Sequence, residues 1–279
     1  MAFLMYKIED ILECIREMAP EELAEPWDNC GLIIEPVDEF AKRIIICLDV
    51  TQKVVEEAIN SGANLIIAHH PLLFSPIKRI DMSSMQGTLL RELLRNNIAL
   101  YAAHTNVDIT YGGLNDLLAG LVGVEVPIQD ETSEPLSYFR LGELPEALTV
   151  GEFNEQVRSR LKLENLIVSA SAPSPSTEAV KRIKKVAVMC GSYSLDAAHF
   201  ASLKADALLC GEIRYHDLLE LDCMGVHIVQ AGHHGSERFF INLVSKWITE
   251  KYPDANIHGF GFAAAPTKVH VGGIASVDV

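Results

Sequence analysis

The chain has 279 residues, 49% hydrophobic and 22% charged, with a formal net charge of −15. Such a length accommodates about two domains of ~100–200 residues, and the excess of acid argues against a general nucleic-acid-binding surface, which attracts phosphates with Lys and Arg. No apolar run approaches the ~20 residues of a membrane-spanning helix, and Met1 to Asp10 lacks the basic and apolar regions of a signal peptide, so a cytoplasmic location is expected.

The first predicted element is a helix from Lys7 to Met18, where Ile8, Ile11, Leu12 and Ile15 recur at helical spacing and Pro20 sets the limit. A loop carrying Trp27, Asp28, Asn29, Cys30 and Gly31 leads into a short apolar strand, Leu32 to Ile34. Arg43 to Asp49 reads as a buried strand, and Val54, Val55, Ala58 and Ile59 as the apolar face of a helix. Leu65 to Ala68 is the next strand, closed by His69, His70 and Pro71. Strand, helix and strand in so few residues is the βαβ pattern of an α/β sheet. Another apolar run, Leu100 to Ala103, ends on His104.

Ser137 to Gly142 is predicted to be a strand that opens a second domain, and Thr149 to Leu161 a helix, with Thr149 and Glu152 at capping-box spacing. Ser169 to Thr177, rich in Ser, Pro and Ala, reads as a surface loop. The earlier pattern then returns as a strand at Lys185 to Gly191, a helix at Leu195 to Ser202 and a strand at Ala205 to Glu212. Gly211 to Asp217 reads as a loop at that strand end, and Ile228 to Ala231 as a third apolar run. Ser236 to Tyr252 has helical spacing ended by Pro253. Asp254 to Val279 reads as a Gly/Ala/Pro-rich loop with a closing strand at Lys268 to Gly273.

Arg43 maps onto Lys185 and Ala63 onto Ala205 at a shift of 142 positions, whereas His104 maps onto His233 and Asp108 onto Glu237 at 129, as if one connection in the second copy were 13 residues shorter. The expected architecture is α/β, with two similar domains from an apparent duplication. The first spans residues 1–130 and is completed by 236–279; the second spans 131–235. Cys14, Cys30, Cys47, Cys190, Cys210 and Cys223 form no C-x-x-C pair and are expected to be reduced thiols.

Three apolar runs end in metal-ligand residue types. His69 and His70 close one; His104 and Asp108 follow another as H-x-x-x-D; His233 and Glu237 follow a third as H-x-x-x-E. The carboxyl ends of strands in an open α/β sheet form the crevice where ligands bind. A turn or helix between residues four apart would bring their side chains together. The four-residue spacing selects His233 over its neighbour His234, and His199, His227, His258 and His270 lack such a context. These residues predict a cleft holding two divalent ions per chain, with His and carboxylate donors compatible with Zn, Mn, Fe, Co or Ni. A pair of ions ~3.5–4 Å apart polarises a phosphoryl or carbonyl oxygen and acidifies water, so hydrolysis is the natural chemistry. No G-x-S-x-G, Walker A or G-x-G-x-x-G motif offers a competing mechanism. Glu212 falls on His70 at the shift of 142, so its loop is expected to face the cleft, with Tyr215 and His216 as candidate substrate contacts; Asp28 is a third.

The segments Trp27 to Leu32, Ala68 to Pro71, His104 to Asp108 and Gly232 to Glu237 together resemble the NIF-three-like family, whose members are labelled GTP cyclohydrolase type-two homologues. The resemblance spans most of the chain. It implies two similar α/β domains, a dinuclear metal site between them and a toroidal homohexamer. By the family's pattern His70 and Asp108 would hold one ion, His69 and His233 the other, and Glu237 would be shared, with His104 lining the site. The turn Gly191-Ser192-Tyr193 departs from the Gly-Ser-Gly of relatives. The expected function is that of a metal-dependent hydrolase of a small phosphorylated or nucleotide-like molecule, with Glu237 and His104 as catalytic groups. The alternative is a non-enzymatic metal-binding regulatory or scaffold protein that forms a ring-shaped oligomer.

Overall fold

The structure, a computed structural model, describes residues 5–127, 137–169 and 181–261. Helix α1 (Ile8–Met18) turns Ile8, Ile11, Leu12 and Ile15 inward, each worth roughly 1.5–3 kcal/mol relative to exposure. A 3-10 turn, Glu21–Leu23, leads to β1 (Gly31–Ile34). The chain continues through β2 (Ile44–Cys47), α2 (Gln52–Ser61), β3 (Leu65–Ala68), α3 (Met85–Arg95) and β4 (Ala99–Ala102). Thr51 caps α2 by accepting from the Val54 amide, and Gly62, at φ 71, ends it. Two short helices, α4 (Thr105–Ile109) and α5 (Leu114–Leu121), close this half.

The second half contains β5 (Arg140–Thr149), α6 (Val150–Arg160), β6 (Ile167–Val168), β7 (Arg182–Ser192), α7 (Ala197–Leu203), β8 (Ala207–Glu212), α8 (Tyr215–Cys223) and β9 (His227–Gln230). It is followed by α9 (His233–Glu237), α10 (Phe240–Lys251) and β10 (Ile257–Gly259). The capping box of Thr149 and Glu152 is present at the start of α6.

These strands build two mixed five-stranded sheets, ordered β1-β4-β3-β2-β10 and β5-β7-β8-β9-β6. Reading the second from its other end gives β6-β9-β8-β7-β5, and the equivalence is then strand for strand over four positions. In each sheet three strands run parallel, and a short strand lies antiparallel beside the last of them. Only the fifth strand differs: β10 is parallel to β2, whereas β5 is antiparallel to β7. Register fixes the shift: Ile44 pairs with Leu65 as Val186 pairs with Ala207, 142 positions on. Leu65 pairs with Ala99 as Ala207 pairs with His227, so the third strands differ by 128. The second copy's connection is therefore 14 residues shorter (142 against 128), one more than the histidines implied. The extra residue lies between β9 and His233, where Gly232 adopts φ 80.

Alternation along the strands sorts the core. Ile44, Ile46, Leu65, Ile67 and Tyr101 of one sheet share a continuous core with Val186, Val188, Leu209 and Val229 of the other. The opposite faces pack on their own helices, Ile45 and Ile66 against α2 and α3, and Met189 and Leu208 against α7 and α8. Asn115, fully buried, ties the halves together by donating to the Asp108 carbonyl at 3.1 Å and accepting from the Cys190 amide at 2.7 Å.

Several expectations are corrected. The helix predicted from Ser236 to Tyr252 is two helices, and Glu237 ends α9 rather than opening a longer one. The turn of helix starts at His233 because Gly232 reverses the chain just before it. Tyr215 to Asp217 begin α8 rather than extending a loop. A strand, β10, lies within the segment read as a loop after Asp254, held by its pairing to β2. β5 starts at Arg140 and runs to Thr149. Most of the loop from Ser169 to Thr177, and the closing strand at Lys268 to Gly273, lie outside the described residues. All six cysteines are free thiols.

Candidate metal centre

His69 and His70 follow β3, and their amides continue the ladder to the carbonyls of Cys47 and Leu48. A bend at the strand end turns both rings to one side, with centroids 5.0 Å apart. The Nδ1–H of His69 donates to the Ala103 carbonyl at 2.9 Å, because a carbonyl can only accept. The other ring nitrogen, Nε2, is left to face the cluster. It is buried without a hydrogen-bond partner among the described residues, 3.7 Å from Asp108 Oδ1 and 3.8 Å from Glu237 Oε1.

The two four-residue spacings become two single turns of helix. α4 carries Asp108, which is 1% exposed; its Oδ1 accepts from the Cys190 thiol and its Oδ2 has no partner among the described residues. Burial, reinforced by the nearby Glu237 charge, raises the Asp108 carboxyl above its ordinary range. α9 puts His233 and Glu237 on one face, with Nε2 to Oε2 at 3.1 Å. Glu237 Oε2 also lies 3.0 Å from His70 Nε2, and His70 and His233 approach each other at 3.3 Å through Nε2.

Each histidine is oriented from behind. Nδ1 of His70 pairs with Asp49 Oδ1 at 2.8 Å, Nδ1 of His233 with Glu212 Oε1 at 3.1 Å, and Nδ1 of His104 with Asp28 Oδ1 at 2.9 Å. That is the arrangement of metal-binding imidazoles, whose second nitrogen is fixed by a carboxylate or carbonyl so that the first presents its lone pair. Among the described residues two groups of potential ligand atoms form, His69, His70 and His104 in one and His70, His233 and Glu237 in the other, and within each group the atoms lie within 4.8 Å of one another. The donor set fits a divalent cation: His69 Nε2 and Asp108 Oδ2 are buried ligand-type atoms without a hydrogen-bond partner among the described residues.

With protons as the only cations, the cluster holds charge in other ways. Burial works against a charged His70, but hydrogen bonds to Asp49 and Glu237 outweigh it and push the imidazole up to about 10. The hydrogen bond to Glu237 pushes His233 up to about 9, against the effect of burial. Burial raises the Glu237 carboxyl, but interactions with His233, His69 and His70 outweigh it and hold the group well below its usual range. A divalent ion would take the place of these protons.

The structure brings His69, His70, His104, Asp108, His233 and Glu237 to one place, drawing on both halves. Distances place His69 beside Asp108 and Glu237, and His70 beside His233 and Glu237. His234 is outside both groups. Glu212 does face the cleft, through His233 and Ser192. Tyr215 and His216 lie exposed at the start of α8, with their rings 5.4 Å apart, and neither joins the two groups of ligand atoms. Asp28 holds His104 in place, with its side chain fully buried. Asp49 and Glu212 act similarly; the shift of 142 from His70 pointed to Glu212, and no spacing pointed to Asp49.

Asp28 accepts from His104, from the Thr105 amide and hydroxyl, and from the Cys30 thiol. Burial would raise its carboxyl, but these bonds hold it well below the usual range. Asp28→Asn turns one acceptor oxygen into a donor facing these donors. It is expected to cost about 2–3 kcal/mol, the scale of hydrogen bonds to a buried charge, and to free the His104 tautomer. Urea unfolding and the nitrogen chemical shifts of the His104 ring measure both effects; unchanged values would remove Asp28 from this role.

Two related sheets with a His/carboxylate cluster at their strand ends define an α/β protein with a candidate metal-binding centre where its halves meet. The chain belongs to the Duf34/NIF3 (NGG1p interacting factor 3) family, whose pattern matches residues 6–266. It is 34% identical over 248 residues to a "GTP cyclohydrolase 1 type 2 homolog" of Clostridium perfringens, covering 88% of this chain and 92% of that one. It is 30% identical over 245 residues to a "GTP cyclohydrolase 1 type 2" of Helicobacter pylori, covering 87% and 91%. A Bacillus cereus protein related to NIF3 has the same fold, with a TM-score of 0.80 at 24% identity over 95% of this chain and 99% of that one. Among the described residues no helix is long and apolar enough to cross a membrane.

Proposed function

We propose that this protein is a dinuclear divalent-metal-dependent hydrolase of a small phosphorylated or nucleotide-like molecule. The observation that carries the reading is the convergence of oriented imidazoles on Glu237, beside two buried ligand-type atoms, His69 Nε2 and Asp108 Oδ2, without a hydrogen-bond partner among the described residues. His69, Asp108 and Glu237 would hold one ion, and His70, His233 and Glu237 the other; this grouping follows the distances and differs from the one the family resemblance implied. Such ions supply Lewis-acid polarisation and an acidified water when bound. His104, with Nδ1 engaged by Asp28, keeps Nε2 for moving a proton at the reacting oxygen. The relatives named for GTP cyclohydrolase activity support a nucleotide-like substrate.

Assembly as a homohexamer belongs to the same proposal. Ile77, Ile80, Met82 and Met85 stand exposed on the segment before and at the start of α3, the kind of apolar surface a monomer rarely leaves in water. The deciding experiment is elemental analysis beside a His69→Ala/His70→Ala variant, with particle mass from light scattering. About two ions per chain in the wild type and none in the variant are expected, followed by metal-dependent hydrolysis in a phosphoester and nucleotide screen. Wild-type protein that takes up none of Zn, Mn, Fe, Co or Ni would sink the reading.

A further inference from the structure

We propose that Trp27 and Phe74 form a stacking platform for the planar ring of a heteroaromatic ligand whose phosphate reaches the His/carboxylate cluster, an inference that rests on the metal centre proposed above. Both side chains are held out of the core, 55% and 50% exposed, with ring centroids 5.6 Å apart. Each meets the His104 ring at a steep angle, at 6.3 Å and 6.2 Å. The His104 ring in turn lies 5.1 Å from His69 and 5.5 Å from His70. A single ring therefore separates an exposed aromatic surface from the cluster where His69 Nε2 and Asp108 Oδ2 lack partners among the described residues.

The segments that carry the pair are fastened, as a binding platform requires. Asp28, next to Trp27, is anchored by His104, Thr105 and Cys30, and its amide donates to the Glu25 carbonyl at 2.9 Å. Asn29 Nδ2 donates to the Leu73 carbonyl at 2.5 Å, which joins the Trp27 loop to the Phe74 segment. Gln86 Nε2 donates to the Leu72 carbonyl at 2.7 Å from the other side. Two large apolar rings kept in water on tethered loops lose little freedom when a ligand arrives. Aromatic faces accept the π-face of any base, while the adjoining cluster suits an anionic oxygen. Together they select a ligand with both parts, a flat heteroaromatic ring and a phosphate, over a sugar phosphate alone.

Calorimetric titration of Mn-loaded protein with GMP and with ribose 5-phosphate tests this, beside a Trp27→Ala/Phe74→Ala variant, with metal content and light-scattering mass recorded for every sample. GMP is expected to bind about tenfold or more tightly than ribose 5-phosphate, the scale of one base stacked on an aromatic side chain. The variant is expected to lose that preference at unchanged metal content. The chain has two tryptophans, and Trp247 is 5% exposed in the core, so a Trp247→Phe protein reports Trp27 alone; its emission is expected to change with GMP and not with ribose 5-phosphate. Equal affinities at full metal content, or a preference that survives in the variant, would overturn the platform and leave the metal centre standing. Protein that binds neither ligand and holds no metal would overturn both. A variant with altered mass and an intact GMP preference would assign the pair to a contact between copies of the chain and overturn the platform.

Discussion

Glu237→Gln is expected to empty the centre of metal while the fold persists. The residue is 2% exposed, and its two oxygens face three histidines, at 3.0 Å and 3.1 Å through Oε2 and 3.8 Å through Oε1. Gln keeps the volume and one acceptor but removes the negative charge that both proposed ions share. Loss of an outer-shell partner alone costs ~10–100-fold in metal affinity, so loss of a shared ligand should exceed that, with turnover falling alongside. In chelator-stripped protein a second effect appears. The depressed Glu237 carboxyl contributes stability above its ordinary value of 4.5, which is lost as pH falls below that. The raised imidazoles of His70 and His233 contribute fully below their ordinary 6.5, and that part is lost as pH rises through about 9 and 10. The two windows overlap between 4.5 and 6.5, where the Gln variant should lose most relative to wild type. Elemental analysis and thermal melts across that range provide the check. Wild-type metal content in the Gln protein would exclude Glu237 as a shared ligand.

The parts of this architecture that were legible in the sequence are those with a local signature. Leu65 to Ala68 and Ile228 to Gln230 announce themselves as apolar runs, and four residues from His to acid correspond to one helical turn, so the contents of α4 and α9 could be anticipated. The shift of 142 points Glu212 toward the cleft without any contact to guide it. What remained hidden depends on tertiary contacts. Asp28 reaches His104 across 76 positions, and Asp49 reaches His70 across 21, with no spacing rule to reveal either. β10 is a strand because β2 offers it a ladder; its residues Ile257, His258 and Gly259 carry no alternation of their own. α8 buries only Leu221, too little for a periodic signal. The approach of His69 Nε2 to Asp108 Oδ1, at 3.7 Å, likewise follows a bend after β3, which sequence spacing cannot convey.

Gly191→Ala is expected to disable the centre without touching any of its ligands. Gly191 stands at φ 62, a region that costs residues with a Cβ about 1–2 kcal/mol. More decisively, a Cβ there would lie 2.3 Å from Glu237 Oε1 and 3.6 Å from His233 Cε1. The carboxylate must move, and the displaced oxygen, Oε1, is the one that faces His69 at 3.8 Å, so the ligand set is expected to be disturbed. Gly225 separates the two effects. It has φ 77 with nothing within 4 Å of where a Cβ would stand, so Gly225→Ala carries the backbone penalty alone. Both alanine proteins should therefore lose a similar ~1–2 kcal/mol of backbone stability. Only the Gly191 variant should lose metal and activity, to the extent that Glu237→Gln does. If instead Gly191→Ala binds metal as Gly225→Ala does, the carboxylate has room to retreat, and the cradle formed by β7 around Glu237 plays no part in holding the ions. The comparison also reaches back to the fold: Gly191 belongs to the second sheet and Asp108 to the first half, so the experiment asks whether the two copies jointly build one centre.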